Sequence, residues 1–76
     1  NGLEVDSILE FENGEYAAVE IKLGFNQYKE ACESLLKFQN NVTKKPKFMC
    51  VICGLSNAAY QRPDGVFVVP ITALRN

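Results

Sequence analysis

Two alternating segments joined by a tight turn constrain the fold of this chain more than any other feature. Residues 3–11 and 16–23 alternate apolar and polar side chains, as β-strands do, and the turn residues Glu12, Asn13 and Gly14 lie between them. A two-residue loop would put the apolar side chains of one strand beside the charged side chains of the other. A three-residue loop with Gly14 in the left-handed conformation matches the apolar faces. The sequence therefore predicts a hairpin in which Asp6 pairs with Glu20.

This register sorts the hairpin side chains onto two faces. The face expected to join the core is apolar: Leu3, Val5, Leu9, Ala17, Val19, Ile21 and Leu23. The other face gathers four charged side chains: Glu4, Asp6, Glu20 and Lys22. Matching of apolar faces alone, without any assumption about function, thus brings these charges together at the open end of the hairpin.

The remaining pattern predicts an α/β fold. Residues 27–41 have helical periodicity, and residues 48–53 form a continuous apolar run typical of a strand covered on both faces. A helix between two strands indicates a crossover, with the strand at 48–53 parallel to the second hairpin strand. Residues 58–61 and 66–69 are expected to be short strands, and a helical turn is expected at 70–74. We expect one domain over residues 1–76: a small mixed sheet with an N-terminal antiparallel hairpin and a crossover helix.

Composition excludes several classes of protein. The net charge of −1 provides no global attraction to nucleic acid. The longest apolar run, residues 48–55, is far shorter than the ~20 residues of a membrane-spanning helix, so we expect no membrane association. Cys50 and Cys53 have metal-site spacing, but on a strand they point to opposite faces, and the chain has no His. We interpret all three cysteines as reduced apolar residues and expect a cytoplasmic protein.

The charged end of the hairpin is the candidate functional site. Side chains directly opposite on antiparallel strands have Cβ atoms ~4.5–5.5 Å apart, so Asp6 and Glu20 could share one divalent cation. Mg²⁺ is the expected ion, with Mn²⁺ as a substitute, and the Ile21 carbonyl could add a neutral ligand. Lys22 could then stabilise the charge of a transition state. The alternative interpretation is a solvated strand face with cross-strand charge pairs.

The chain resembles the PD-(D/E)xK nuclease superfamily, which has the restriction-endonuclease-like fold, through Asp6, the triplet Glu20-Ile21-Lys22 and the strand–strand–helix–strand order. More closely, residues 4–24, 31–38 and 62–74 resemble the C-terminal domain of bacterial and archaeal AAA-type P-loop ATPases. The resemblance implies an incomplete restriction-endonuclease-like core, Asp6 and Glu20 as metal ligands, and Lys22 as the catalytic lysine. It also implies a C-terminal fragment of a larger ATPase, with DNA and the N-terminal ATPase domain as partners.

Two departures from this pattern accompany the resemblance. The superfamily core usually begins with a helix that this chain does not contain. Exonuclease branches place Gln and Tyr four residues apart on the following helix, whereas Gln27 is followed at that offset by Ala31.

Two functions follow from the sequence. The first is Mg²⁺-dependent hydrolysis of a phosphodiester, and the second is a non-catalytic module for DNA or protein association that keeps the fold without activity. An exposed strand edge also leads us to expect self-association into a homo-oligomer.

Overall fold

The computed structural model describes residues 5–24, 27–54 and 58–74. Their elements are β1 (Ser7–Glu10), β2 (Tyr16–Lys22), α1 (Tyr28–Asn41), β3 (Phe48–Cys53), β4 (Tyr60–Gln61), β5 (Phe67–Pro70) and a 3₁₀ helix (Ile71–Leu74). The strands form one five-stranded mixed sheet in the order β1-β2-β3-β5-β4. The predicted α/β class, the hairpin and the crossover helix are confirmed. No helix in these ranges is long and apolar enough to cross a membrane.

The hairpin has the predicted register. Ser7 lies opposite Val19 in the antiparallel pair of β1 and β2. Phe11 N–H donates to the Glu15 carbonyl at 2.8 Å, which closes a three-residue loop. Gly14 in that loop has φ of +87°, a conformation that glycine adopts without steric cost. The loop length that matches the apolar faces is therefore the one that forms.

The helix covers one face of the sheet, and this is not the face predicted to join the core. The buried residues of α1, which are Ala31, Cys32 and Leu35, pack on the side of the sheet that bears Ala18. They form one cluster with Ala18, with residues of β3 and with residues in or just before β5: Met49, Val51, Cys53, Val66 and Val68. On the opposite side Ala17 and Val19 are buried, but Leu9 and Ile21 remain exposed. The prediction of a core beneath Leu9 and Ile21 is therefore wrong. The crossover connection, and not the apolar content of the hairpin, decides which face the helix covers.

We call the uncovered side of the sheet the open face. It is a shallow apolar groove, and its principal members are Leu9, Ile21, Phe48, Ile52, Val69 and Leu74. Leu3, which was predicted to share this side, lies outside the described residues. Val5, predicted to do the same, instead packs against the cluster beneath α1.

Strand β3 is parallel to β2 and to β5, as the crossover predicts for β2. Its coverage differs from the prediction. Met49, Val51 and Cys53 are buried, with their side chains in the cluster beneath α1, whereas Phe48 and Cys50 line the open face. Cys50 and Cys53 therefore point to opposite faces, as their spacing on a strand requires, and both thiols are free.

Gly54 allows the end of β3 to lie very close to the end of β2. A Cβ atom on residue 54 would lie 2.5 Å from the Leu23 carbonyl oxygen, which is far inside van der Waals contact with a backbone atom. At Gly24 the nearest atom to a built Cβ is also at 2.5 Å, but it is the end of the flexible Gln27 side chain. Only the first contact requires the backbone to move.

We predict that Gly54→Ala lowers the free energy of unfolding by about 1–3 kcal/mol, the usual cost of overpacking a tight site. The matched control is Gly24→Ala, for which rotation of the Gln27 amide limits the change to about 0.5 kcal/mol. Urea unfolding of both variants measures the difference. Equal unfolding midpoints would contradict the close approach of the two strand ends.

Candidate functional site

Asp6 lies immediately before β1, and its side chain takes the place of a further strand residue. The chain bends at Asp6, and the Asp6 Oδ2 atom accepts a hydrogen bond from Ile21 N–H at 2.9 Å. From Glu15 onward, every second residue directs its main-chain N–H and C=O groups toward β1. Ile21 is one of these residues, so its N–H would donate to a main-chain carbonyl if β1 were longer. The carboxylate therefore occupies the place of a main-chain acceptor, a competition with sheet bonding that Asp readily makes.

A second hydrogen bond ties the same two segments together. Asp6 N–H donates to Glu20 Oε1 at 3.0 Å. The strand pairing predicted between Asp6 and Glu20 is thus replaced by a side-chain contact, and the predicted proximity of these residues is retained. Asp6 touches both Glu20 and the backbone of Ile21.

Glu20 is the one acidic side chain buried among the described residues, at 5% exposure. No Lys or Arg forms an ion pair with it in that part of the chain, where the ion pairs are Lys47 with Glu15 and Arg62 with Asp64. Burial raises the pKa of the Glu20 carboxyl, and the neighbouring charge of Asp6 raises it further. The hydrogen bond from Asp6 N–H and the charge of Lys22 lower this pKa without cancelling the effect of burial.

Lys22 lies on the same side of the sheet as Glu20, two residues along β2. It lines a small cleft of about 60 Å³ together with Gln27, the residue before α1, and Glu30 in the first turn of α1. The cleft places an ammonium, an amide and a carboxylate beside the end of β2. We did not predict Gln27 or Glu30 as part of the site. The short connection from β2 to α1 is the signal, since it makes the helix begin at the strand end that carries Lys22.

The loop lysines are not part of this site. Lys45 Nζ donates to the Gln39 and Val42 carbonyls at 2.6 and 2.8 Å, which satisfies groups at the C-terminal end of α1. Lys47 pairs with Glu15 at 3.4 Å, and Lys44 donates to the Gly14 carbonyl. These contacts fasten the loop before β3 to the hairpin turn.

The donor set fits a cation that needs few protein ligands. In the described residues no group of three or more His, Cys, Asp or Glu side chains could hold a metal ion, so Asp6 and Glu20 stand as a pair. Glu4 lies outside these residues. Mg²⁺ is commonly held by one or two carboxylates, with waters and substrate phosphates completing its shell. A buried carboxylate beside a second one, without a cationic partner in contact, suits such an ion.

Comparison with known proteins identifies the family. Residues 1–74 match DUF4143, a domain of unknown function, and the chain belongs to this family. Such domains are typically found in AAA-type ATPases, in agreement with the closer of the two resemblances drawn from the sequence. The nuclease superfamily is not tested by this match and stays a prediction. Comparison with the curated proteins and with the solved structures found no match.

We predict that Glu20→Gln stabilises the metal-free protein at pH 7–8, by about 4 °C in Tm. The raised pKa of Glu20 means that its protonated form favours the folded state, so the stability that this group contributes is full below its ordinary pKa of 4.5 and is lost as the pH rises through the raised value. Gln is neutral at every pH and can still accept the Asp6 N–H bond. Thermal unfolding in EDTA from pH 4 to 8 measures the difference between the two proteins.

The control for this experiment is Glu33→Gln, because Glu33 is an exposed helix residue. It should leave the pH dependence of Tm as in the wild type. A Glu20→Gln curve parallel to the wild-type curve from pH 4 to 8 would show that burial does not perturb this carboxyl.

Proposed function

We propose that this DUF4143 domain is a nuclease-type domain of an ATPase that hydrolyses phosphodiesters with the help of Mg²⁺. One observation carries the proposal: Glu20 is buried to 5% exposure without a contacting cation in the described residues, and it is held directly against Asp6. An ionised carboxylate in that position is costly unless a positive charge compensates for it. A divalent cation at the Asp6–Glu20 pair would supply that charge.

Asp6, Glu20 and Ile21 are the residues that would hold the ion. Each carboxylate uses one oxygen for a backbone N–H, Oδ2 in Asp6 and Oε1 in Glu20. Within the described residues, the second oxygen of each carboxylate receives no hydrogen bond and is available as a ligand. The Ile21 carbonyl is the third expected donor, on the residue whose N–H already binds Asp6. Mn²⁺ takes similar oxygen ligands and should substitute for Mg²⁺.

The bound ion and the residues of the chain would have separate roles in the reaction. When bound, Mg²⁺ lowers the pKa of a coordinated water and neutralises charge on a phosphate. Lys22 places an ammonium on the same side of the sheet, where it stabilises the negative charge that develops on the phosphoryl oxygens. Asp6 is exposed, so a nucleic acid can reach the pair from the side of β1. Because the net charge is −1, the positive charge at this site would come from the ion and Lys22, since Lys44, Lys45 and Lys47 are engaged elsewhere.

We predict that the wild-type chain binds Mg²⁺ and Mn²⁺ and that Asp6→Asn weakens this binding more than tenfold. The substitution removes a ligand charge but keeps an oxygen that can accept the Ile21 N–H bond. Glu10→Gln is the matched control, since Glu10 is an exposed carboxylate on the same strand. Isothermal titration measures all three proteins. Absence of binding by the wild type, or equal weakening by Glu10→Gln, would refute the metal site.

We further predict that Lys22→Met lowers cleavage of a phosphodiester substrate by about 100-fold or more while metal binding is retained. The control is Lys29→Met, which removes an exposed lysine from α1. Cleavage of labelled DNA and RNA with Mg²⁺, compared with EDTA, measures activity and identifies the substrate. Wild-type rates in Lys22→Met would remove this lysine from the mechanism.

The open face favours a second candidate, a non-catalytic module that associates with other proteins for the ATPase. Large apolar side chains exposed on one continuous surface are typical of interaction sites. Metal titration separates the two candidates, because a module of this kind has no need of a cation at Asp6 and Glu20. Metal binding with substrate cleavage supports the first, and association without either supports the second.

A further inference from the structure

The open face carries large apolar side chains in contact with water. Leu9, Ile21, Phe48 and Leu74 are 51%, 43%, 38% and 58% exposed. No charged side chain lines this groove among the described residues, in which the single polar member is Ser7. Strands in parallel pairs, such as β2, β3 and β5, are ordinarily covered on both faces. Exposure of this groove to water is therefore energetically unfavourable.

We propose that a second copy of this chain covers the open face, with two sheets packed face to face about a twofold axis. Two antiparallel or mixed sheets can pack in this way about 10 Å apart, with the side chains of their inner faces interdigitated. A twofold interface brings each residue patch against the same patch of the partner. Since the open face is uncharged, a copy of itself meets no like-charge repulsion there.

The area of the face is large enough for a weak dimer. If a large apolar side chain presents about 150–200 Å² when fully exposed, the four most exposed members present about 350 Å², and the half-buried members bring the face to about 500 Å². Two such faces would bury about 1,000 Å², which is within the size range of weak interfaces. We therefore expect a weak dimer that forms at high protein concentration.

Pairing through the edge of the sheet, which we expected from the sequence, is less favourable. Of the two edge strands, β4 has only two residues, and β1 has four and ends at Glu10, two residues before Glu12. Antiparallel pairing of two β1 strands would bring these acidic side chains close to the partner and would leave the open face in water. The structure therefore favours self-association through the open face over pairing of the sheet edges.

Neighbouring residues of β1 give a matched test. Leu9 lies on the open face, whereas Ile8 lines a cleft on the helix side and is similarly exposed, at 46%. Sedimentation equilibrium from 1 µM to 1 mM should show a dimer for the wild type. Leu9→Lys should raise the dissociation constant more than tenfold, because it buries a charge at the interface, and Ile8→Lys should leave it within about twofold.

A wild type that is monomeric at 1 mM would overturn the proposal and assign the face to a different partner. Equal disruption by Ile8→Lys would overturn it in favour of edge pairing, and an undisturbed dimer of Leu9→Lys would also overturn it. If Leu9→Lys fails to fold by circular dichroism, Leu74→Lys in the 3₁₀ helix provides the same test. Metal binding by Asp6 and Glu20 should persist in these variants, so the dimer and the proposed function fail independently.

Discussion

The packing of α1 on the side of the sheet that bears Ala18 is the constraint on which the rest of the structure depends. It buries Glu20, because Glu20 shares that side of β2. It also brings Gln27 and Glu30 beside Lys22, since the helix begins where β2 ends. The same choice leaves the opposite side without a covering layer. The packing of α1 on this side of the sheet thus produces both the candidate site and the open face.

Asp6 is the second residue that determines the site, because the chain bends there and β1 begins only at the following residue. Its carboxylate accepts the Ile21 N–H bond that a continuing β1 would have taken, and its own N–H binds Glu20. The two bonds hold the acidic side chains together without any strand pairing at that level. A longer β1 would satisfy the backbone equally well but would leave the Asp6 side chain without this anchor. The proximity of Asp6 and Glu20 therefore depends on the strand being short.

Much of the fold could be predicted from the sequence, because side-chain parity in a hairpin has few solutions. The three-residue loop follows from the matching of apolar faces, and the bounds of β3 follow from its unbroken apolar run. Parity shows which residues share a face, but it does not show which face receives the helix, and for this reason the prediction of a core beneath Leu9 was wrong. The burial of Glu20 could not be predicted for the same reason. The bend at Asp6 depends on hydrogen bonds between residues 14 and 15 positions apart, which local patterns do not encode.

The charge of Glu20 has no structural partner that explains it in the described residues. Its contact with Asp6 N–H requires an acceptor oxygen, and a neutral Gln would provide one. The carboxylate is buried beside a second carboxylate, and this arrangement costs stability at neutral pH in a domain small enough for a few kcal/mol to matter. A local cost without a local benefit is typical of functional sites, where the surrounding fold maintains an arrangement that folding alone would not select. What the pair lacks is a positive charge between its oxygens, and a divalent cation meets that requirement better than a side chain, because two acidic ligands can bind it at once.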